Sequence, residues 1–312
     1  MKRREFLMGS AMAVGAAATR NWAQAADPGK LDRVAIMTYS FDRIVKVAGQ
    51  PDNPTKTLDL FDIPEMFADR YHVHNVEVQH NHFASTESSY FREFRARLAK
   101  TKSQVTNINL EFGNMSISAG DPVMRAQAID LTKQWIDHAV ELGSPRVMVN
   151  QGSPTEENKA VAIAALKIMG DYGKTRKVMV AMEPRGGGGA RGGRGPAPGG
   201  TVPAAPTEPA GPAPPAPYIL LTEIIKASRT YANVDIGNLG DQEVQHAGMR
   251  AMFPLTDGNC HVKLNPARYD LPAALALTRT LGYKGLYSIE AGGMGDSYDN
   301  VQKIYDVLVA SI

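Results

Sequence analysis

Cysteine is nearly missing from this sequence: Cys260 is the only one in 312 residues. That excludes an intrachain disulfide, so the fold must be held by its core. Charge of one sign is also missing, with 34 Lys and Arg against 32 Asp and Glu and a net charge of +2. Such a balance gives no electrostatic case for nucleic acid as a partner. Long hydrophobic runs are scarce, and the N-terminal one is too short and too alanine-rich to span a bilayer stably. No stretch fits GxxxxGK[ST], which removes the phosphate loop of nucleotide-binding proteins. Tryptophan occurs twice, as Trp22 and Trp135, and the latter reads as a packing residue in a helix.

The chain opens with MKRREFLMGSAMAVGAAATRNWAQAA: a basic start, an apolar run of small residues, and Ala23-Gln24-Ala25, which suits signal peptidase. Arg3-Arg4, one residue, then Phe6-Leu7 resembles a twin-arginine export signal. Residues 1–25 are expected to be cut away, leaving a periplasmic or otherwise exported chain, 26–312, as one domain. The cut removes Lys2, Arg3, Arg4 and Arg20 against Glu5, so the mature chain is close to neutral. No cysteine lies near the cleavage site, which argues against a lipoprotein. No stable membrane anchor is expected after cleavage, and a homo-oligomer stays open.

After the leader, apolar extended runs alternate with segments of helical period. The runs are RVAIMTYS (33–40), NVEVQ (75–79), QVTNINL (104–110), RVMVNQ (146–151), KVMVAME (177–183), YANVD (231–235), CHVKLN (260–265) and GLYSIE (285–290). Between them lie helical stretches such as DPVMRAQAIDLTKQWIDHAVELG, with Asp121 as cap, Pro122 in the first turn and Gly143 as stop. Eight strand candidates, each with room for a helix after it, predict an α/β fold: a closed (β/α)8 TIM barrel of the usual ~250 residues. An open doubly wound sheet is the competing architecture and usually has fewer strands.

One segment breaks the rhythm. Residues 186–217 contain 19 Gly or Pro in 32 positions, a composition that packs no core. Strand 5 precedes it and a helical stretch, YILLTEIIKASR, follows it, so it is expected to be a flexible insertion within the barrel. Gly187, Gly189 and Gly192 satisfy GxGxxG, but such a match is expected by chance in this tract, and no helix opens after it.

Strand alternation then sorts the last four strands. Glu183 shares a face with Met179 and Ala181; Asp235 with Asn233; His261 with Lys263; Glu290 with Leu286 and Ser288. In a barrel the carboxyl-terminal strand ends form the mouth, so all four polar groups are expected to converge there. Three crowded carboxylates repel unless a cation sits between them. Oxygen ligands plus one imidazole suit a divalent ion: Mn(II), Mg(II), Co(II) or Zn(II). An ion pair of Glu183 with Lys263 or Arg185 is the structural alternative.

The order Glu, Asp, His, Glu on strands 5 to 8 resembles the sugar-phosphate isomerase/epimerase family of xylose-isomerase-like TIM barrels. The resemblance runs from AIMTYSF to the last helix. It implies that Glu183, Asp235, His261 and Glu290 bind one metal ion, Mn(II) foremost, and that Glu183 and Glu290 form the acid/base pair. It also implies a small carbohydrate substrate and isomerisation or epimerisation by proton abstraction next to a carbonyl, through an enediolate. Two departures stand out. Asp235-Ile236-Gly237-Asn238 has asparagine where many members have histidine, and His261-Val262-Lys263-Leu264 ends in leucine where many have aspartate. Lys263, Asn238, Arg185 and Arg268 are candidates for holding sugar hydroxyls or a carbonyl. His80 and His82, in VEVQHNHF, are candidates for the pocket or for a second metal site, with a polar loop at the mouth as the simpler reading. Three alternatives stay beside the isomerase: a keto-sugar glycoside lyase or hydrolase using the same base, a non-catalytic sugar-binding barrel, and an apurinic-site endonuclease. The last is disfavoured by Asn238 and the neutral surface.

Overall fold

The apolar runs become parallel strands because each carries β-branched or other apolar residues on one face at a period of two. The computed structural model describes residues 28–47, 53–184 and 217–312. The leader and nearly all of the Gly/Pro segment, with Arg185, lie outside the described residues. The strands are β1 Val34–Met37, β2 Asn75–Gln79, β3 Gln104–Leu110, β4 Arg146–Asn150, β5 Met179–Glu183, β6 Tyr231–Ile236, β7 Thr256–Val262 and β8 Leu286–Ile289. They pair in sequence order, and β8 returns to β1 with Ala35 opposite Ser288, which closes the barrel.

A helix follows each strand: α1 Ile63–Tyr71, α2 Ser88–Lys100, α3 Pro122–Leu142, α4 Lys159–Arg176, α5 Pro217–Ser228, α6 Gln242–Met252, α7 Leu271–Thr280 and α8 Ser297–Ser311. The expected signals set the ends of α3. Asp121 caps it by accepting a bond from Val123 N at 2.8 Å, and Gly143 ends it at φ 77°. Among the described residues, no helix is long and apolar enough to cross a membrane.

The main apolar core lies between sheet and helices, built from residues such as Val34, Ile36, Val76, Val78, Val147, Val180, Val234 and Ile289. The alternate positions belong to the barrel interior, and many are polar. Asn107 Nδ2 donates to Glu77 at 3.0 Å, and Asn259 Nδ2 donates to Glu77 at 3.1 Å and to Asn233 at 2.8 Å. Buried polar groups need such partners, and these bonds tie Glu77 to β3 and β7 and Asn259 to β6.

Two strand expectations are corrected. β1 stops at Met37, and Thr38–Phe41 form a 3-10 turn instead of continuing a strand to residue 40. The reason is polar: Thr38 Oγ1 accepts from Gln79 N at 2.9 Å, and Ser40 Oγ donates to Ile289 O at 3.1 Å, tying this turn into the mouth. β7 begins at Thr256 and ends at Val262, so Lys263 stands beyond the strand instead of inside it.

Candidate metal centre

Glu183 is the last residue of β5, Asp235 lies one residue before the end of β6, and His261 likewise in β7. Glu290 follows β8, held by a backbone bond from its N to Val262 O at 3.0 Å. All four are buried at the carboxyl-terminal end of the barrel, and each offers a donor atom within 4.8 Å of the others. Donors about 2.0–2.2 Å from one ion lie at most about 4.4 Å apart, so a contraction of a few tenths of an ångström completes a shared site.

The charges around this cluster are unbalanced. Glu77, Glu183, Asp235 and Glu290 face two cationic side chains. Lys263 Nζ lies 2.5 Å from Asp235 Oδ2 and 3.2 Å from Glu290 Oε2. His261 Nδ1 lies 3.1 Å from Glu290 Oε2 and 3.6 Å from Glu183 Oε1. Burial pushes the Asp235 carboxyl up to about 7, and the charges of Glu290 and Glu183 add to this against Lys263 and His261. For His261, burial alone lowers the imidazole, but the Glu77 charge and bond, together with the Glu183 and Glu290 carboxylates beside the ring, carry it well above its ordinary value. Asp235 Oδ1 and His261 Nδ1 are buried and make no hydrogen bond. Orphaned donor atoms inside a surplus of negative charge fit a divalent cation.

The remaining candidates separate into two groups. Asn238 bonds to Asp235, lies 3.4 Å from Glu183 Oε1 and accepts from Lys263 Nζ at 3.0 Å. Asn238, Lys263 and Arg268, together with Glu290, Tyr39 and Lys303, line a cleft of about 490 Å³ above the cluster. His80 and His82 are not brought to it. His82 is buried, with Nδ1 2.8 Å from Thr38 Oγ1 and Nε2 3.2 Å from Asp42 Oδ1, so both nitrogens serve the loop. His80 packs edge-on against Phe112 and Trp135, its Nδ1 accepts from Glu111 N, and burial lowers its pKa to about 4. The polar-loop reading is therefore the one the geometry supports. Among the described residues, Glu183, Asp235, His261 and Glu290 are the only such cluster, so the histidine pair forms no second one. Trp135 does pack in a helix, buried in α3.

One residue was not marked out by the motif. Glu77 in β2 is fully buried and lies 2.6 Å from His261 Nε2. Burial raises its carboxyl, but the His261 charge and the bonds from His261 and Asn259 outweigh that and lower it. The signal was the same alternation, with Glu77 between Asn75 and Gln79 on one face of β2.

A family model described as xylose isomerase-like TIM barrel matches residues 63–198. The sequence matches none of the curated proteins. Among solved structures, the chain is similar to a D-allulose 3-epimerase from Methylomonas sp. at TM-score 0.62 and 11% identity, covering 90% of this chain and 98% of that one. A xylose isomerase domain protein from Planctomyces limnophilus gives 0.60 and 15%, covering 89% and 95%. A 3-keto-D-glucoside 4-epimerase from E. coli gives 0.58 and 12%, covering 89% and 98%. At these identities the likeness is one of fold.

Proposed function

We propose that this xylose isomerase-like TIM barrel is a divalent-metal-dependent sugar isomerase or epimerase that acts through an enediolate. One observation carries the reading: Glu183, Asp235, His261 and Glu290 converge, buried, beneath the cleft that Lys263, Asn238 and Arg268 help to line. These four residues would hold the ion, with Mn(II) the first to try. When bound, a divalent ion supplies Lewis-acid stabilisation of negative charge on a substrate oxygen. The rest belongs to side chains. Glu183 and Glu290 come from the two ends of the four-strand arc β5 to β8. One removes the proton from the carbon beside the carbonyl, and the other returns a proton to that carbon for epimerisation. Return by the same carboxylate to the neighbouring carbon gives isomerisation instead. Lys263, Asn238 and Arg268 orient the sugar by its hydroxyls.

The names of the Methylomonas and E. coli neighbours, a ketose 3-epimerase and a keto-glucoside epimerase, support a carbonyl-bearing sugar as the substrate class. Residues 1–25 are proposed to direct export, which favours a sugar without phosphate, and 26–312 to be the mature domain. Metal content measured on wild type, Glu183→Gln and His261→Ala tests the site: one ion per chain in wild type and loss in both variants is expected. Wild type that takes up no ion after supplementation sinks the reading. Product mass then separates the chemistries, since isomerisation conserves it and elimination from a keto-glycoside splits the molecule.

A further inference from the structure

We infer that Glu77 is a positioning residue: its carboxylate holds the Nε2–H of His261 and so presents Nδ1 to the metal. The inference rests on the metal reading above and adds a residue from the opposite side of the barrel. β2 and β7 are not neighbours in the sheet, so the 2.6 Å bond between Glu77 Oε1 and His261 Nε2 runs across the interior. Glu77 is itself fixed, because Asn107 Nδ2 donates to Oε1 and Asn259 Nδ2 to Oε2. A fixed acceptor on one ring nitrogen decides the other. A neutral imidazole carries one N–H and one lone pair, and a carboxylate at Nε2 keeps the N–H there. The lone pair is left on Nδ1, the atom that makes no hydrogen bond and faces Glu183 and Glu290. A carboxylate behind a metal-ligating histidine also raises the basicity of the ligand nitrogen, and removing such a partner typically weakens metal binding roughly 10- to 100-fold.

Glutamine at position 77 keeps the shape but sets an amide N–H₂ against the donors of His261, Asn107 or Asn259. Asn75→Ala is the packing control. It removes buried bonds of the same strand, from Asn75 Nδ2 to Val34 O and Asp32 O, without touching His261. The experiment titrates MnCl₂ into the full chain as wild type, Glu77→Gln and Asn75→Ala, and records metal-free unfolding and the visible bands of the Co(II)-loaded protein. Glu77→Gln is expected to bind Mn(II) roughly 10- to 100-fold more weakly and to shift the Co(II) bands. Asn75→Ala is expected to unfold earlier with Mn(II) affinity and Co(II) bands unchanged. If Glu77→Gln does not fold, Glu77→Asp, which withdraws the carboxylate by one methylene, is judged by the same criteria. Affinity within twofold of wild type in either folded variant overturns the inference. A wild type that binds no Mn(II) overturns the metal reading and this inference together, and is told apart because it shows before any substitution.

Discussion

A carboxylate packed at the foot of a cleft is tolerated with a proton or with a cation beside it, and Asp235 sits between the two, pushed up to about 7 by burial and by Glu290 and Glu183. Asp235 and His261 both hold protons in the folded metal-free cluster at pH values where their unfolded forms hold fewer. Both groups therefore favour the metal-free fold at low pH and withdraw that support as pH rises, His261 above the ordinary imidazole range. A metal ion must displace the same protons, so apparent Mn(II) affinity should fall from pH 8 to pH 6, by about tenfold per unit for each proton displaced. Calorimetric titration in buffers of different ionisation heat counts those protons; an affinity flat across that range contradicts the placement. Lys263 is a cation already present beside Asp235 and Glu290, and removing one partner of a buried pair leaves the other uncompensated. Lys263→Ala should lower metal-free stability by about 3 kcal/mol, with most of the loss recovered on adding Mn(II), read by thermal unfolding. The four candidate ligands were legible in the sequence because alternation places each on an inward face, with Glu183, Asp235 and Glu290 closing their runs and His261 within its own. Glu77 was not marked out, because its partner lies 184 positions away and no local pattern links them.

At the scale of elements, the ends were legible where a side chain caps them and less so where a tertiary bond ends them. Asp121, Pro122 and Gly143 bound α3 as the sequence predicts, and Asp121→Ala should cost about 1 kcal/mol, seen as a drop of roughly 2–4 °C in Tm. β1 ended early because Thr38 and Ser40 are claimed by Gln79 and Ile289, contacts between segments far apart in the chain. The turn after β6 depends on Gly237 at φ 125°, where a Cβ would come within 2.7 Å of the Tyr269 hydroxyl. That hydroxyl is shared between Lys263 O at 2.6 Å and Ile236 O at 3.1 Å, so it steadies the backbone that carries Lys263. Gly237→Ala should therefore destabilise by about 2 kcal/mol and loosen the mouth, measurable as earlier denaturant unfolding with faster amide exchange at residues 263–269.

At the scale of the whole molecule, the proposed ion couples four consecutive strands and so should act on global stability. Saturation at about 100 times the dissociation constant adds about 2.7 kcal/mol, expected as a Tm rise of roughly 5–10 °C that a chelator reverses. Differential scanning calorimetry with Mn(II), then with excess EDTA, decides this; no shift at saturating metal contradicts a site spanning β5 to β8.

By itself the sequence determined the alternation of strand and helix, and with it the barrel, because the repeat is written locally in apolar period and capping residues. It also determined which side chains face inward at the mouth, since a period of two leaves no other face for Glu183, Asp235, His261 and Glu290. Tertiary structure alone decided what those side chains meet. Closure of β8 onto β1 set Glu77 behind His261, turned His82 to Thr38 and Asp42, and moved Lys263 from a strand into the mouth. These are distances between residues far apart in the chain, and they exist only once the sheet has curved through a full circle.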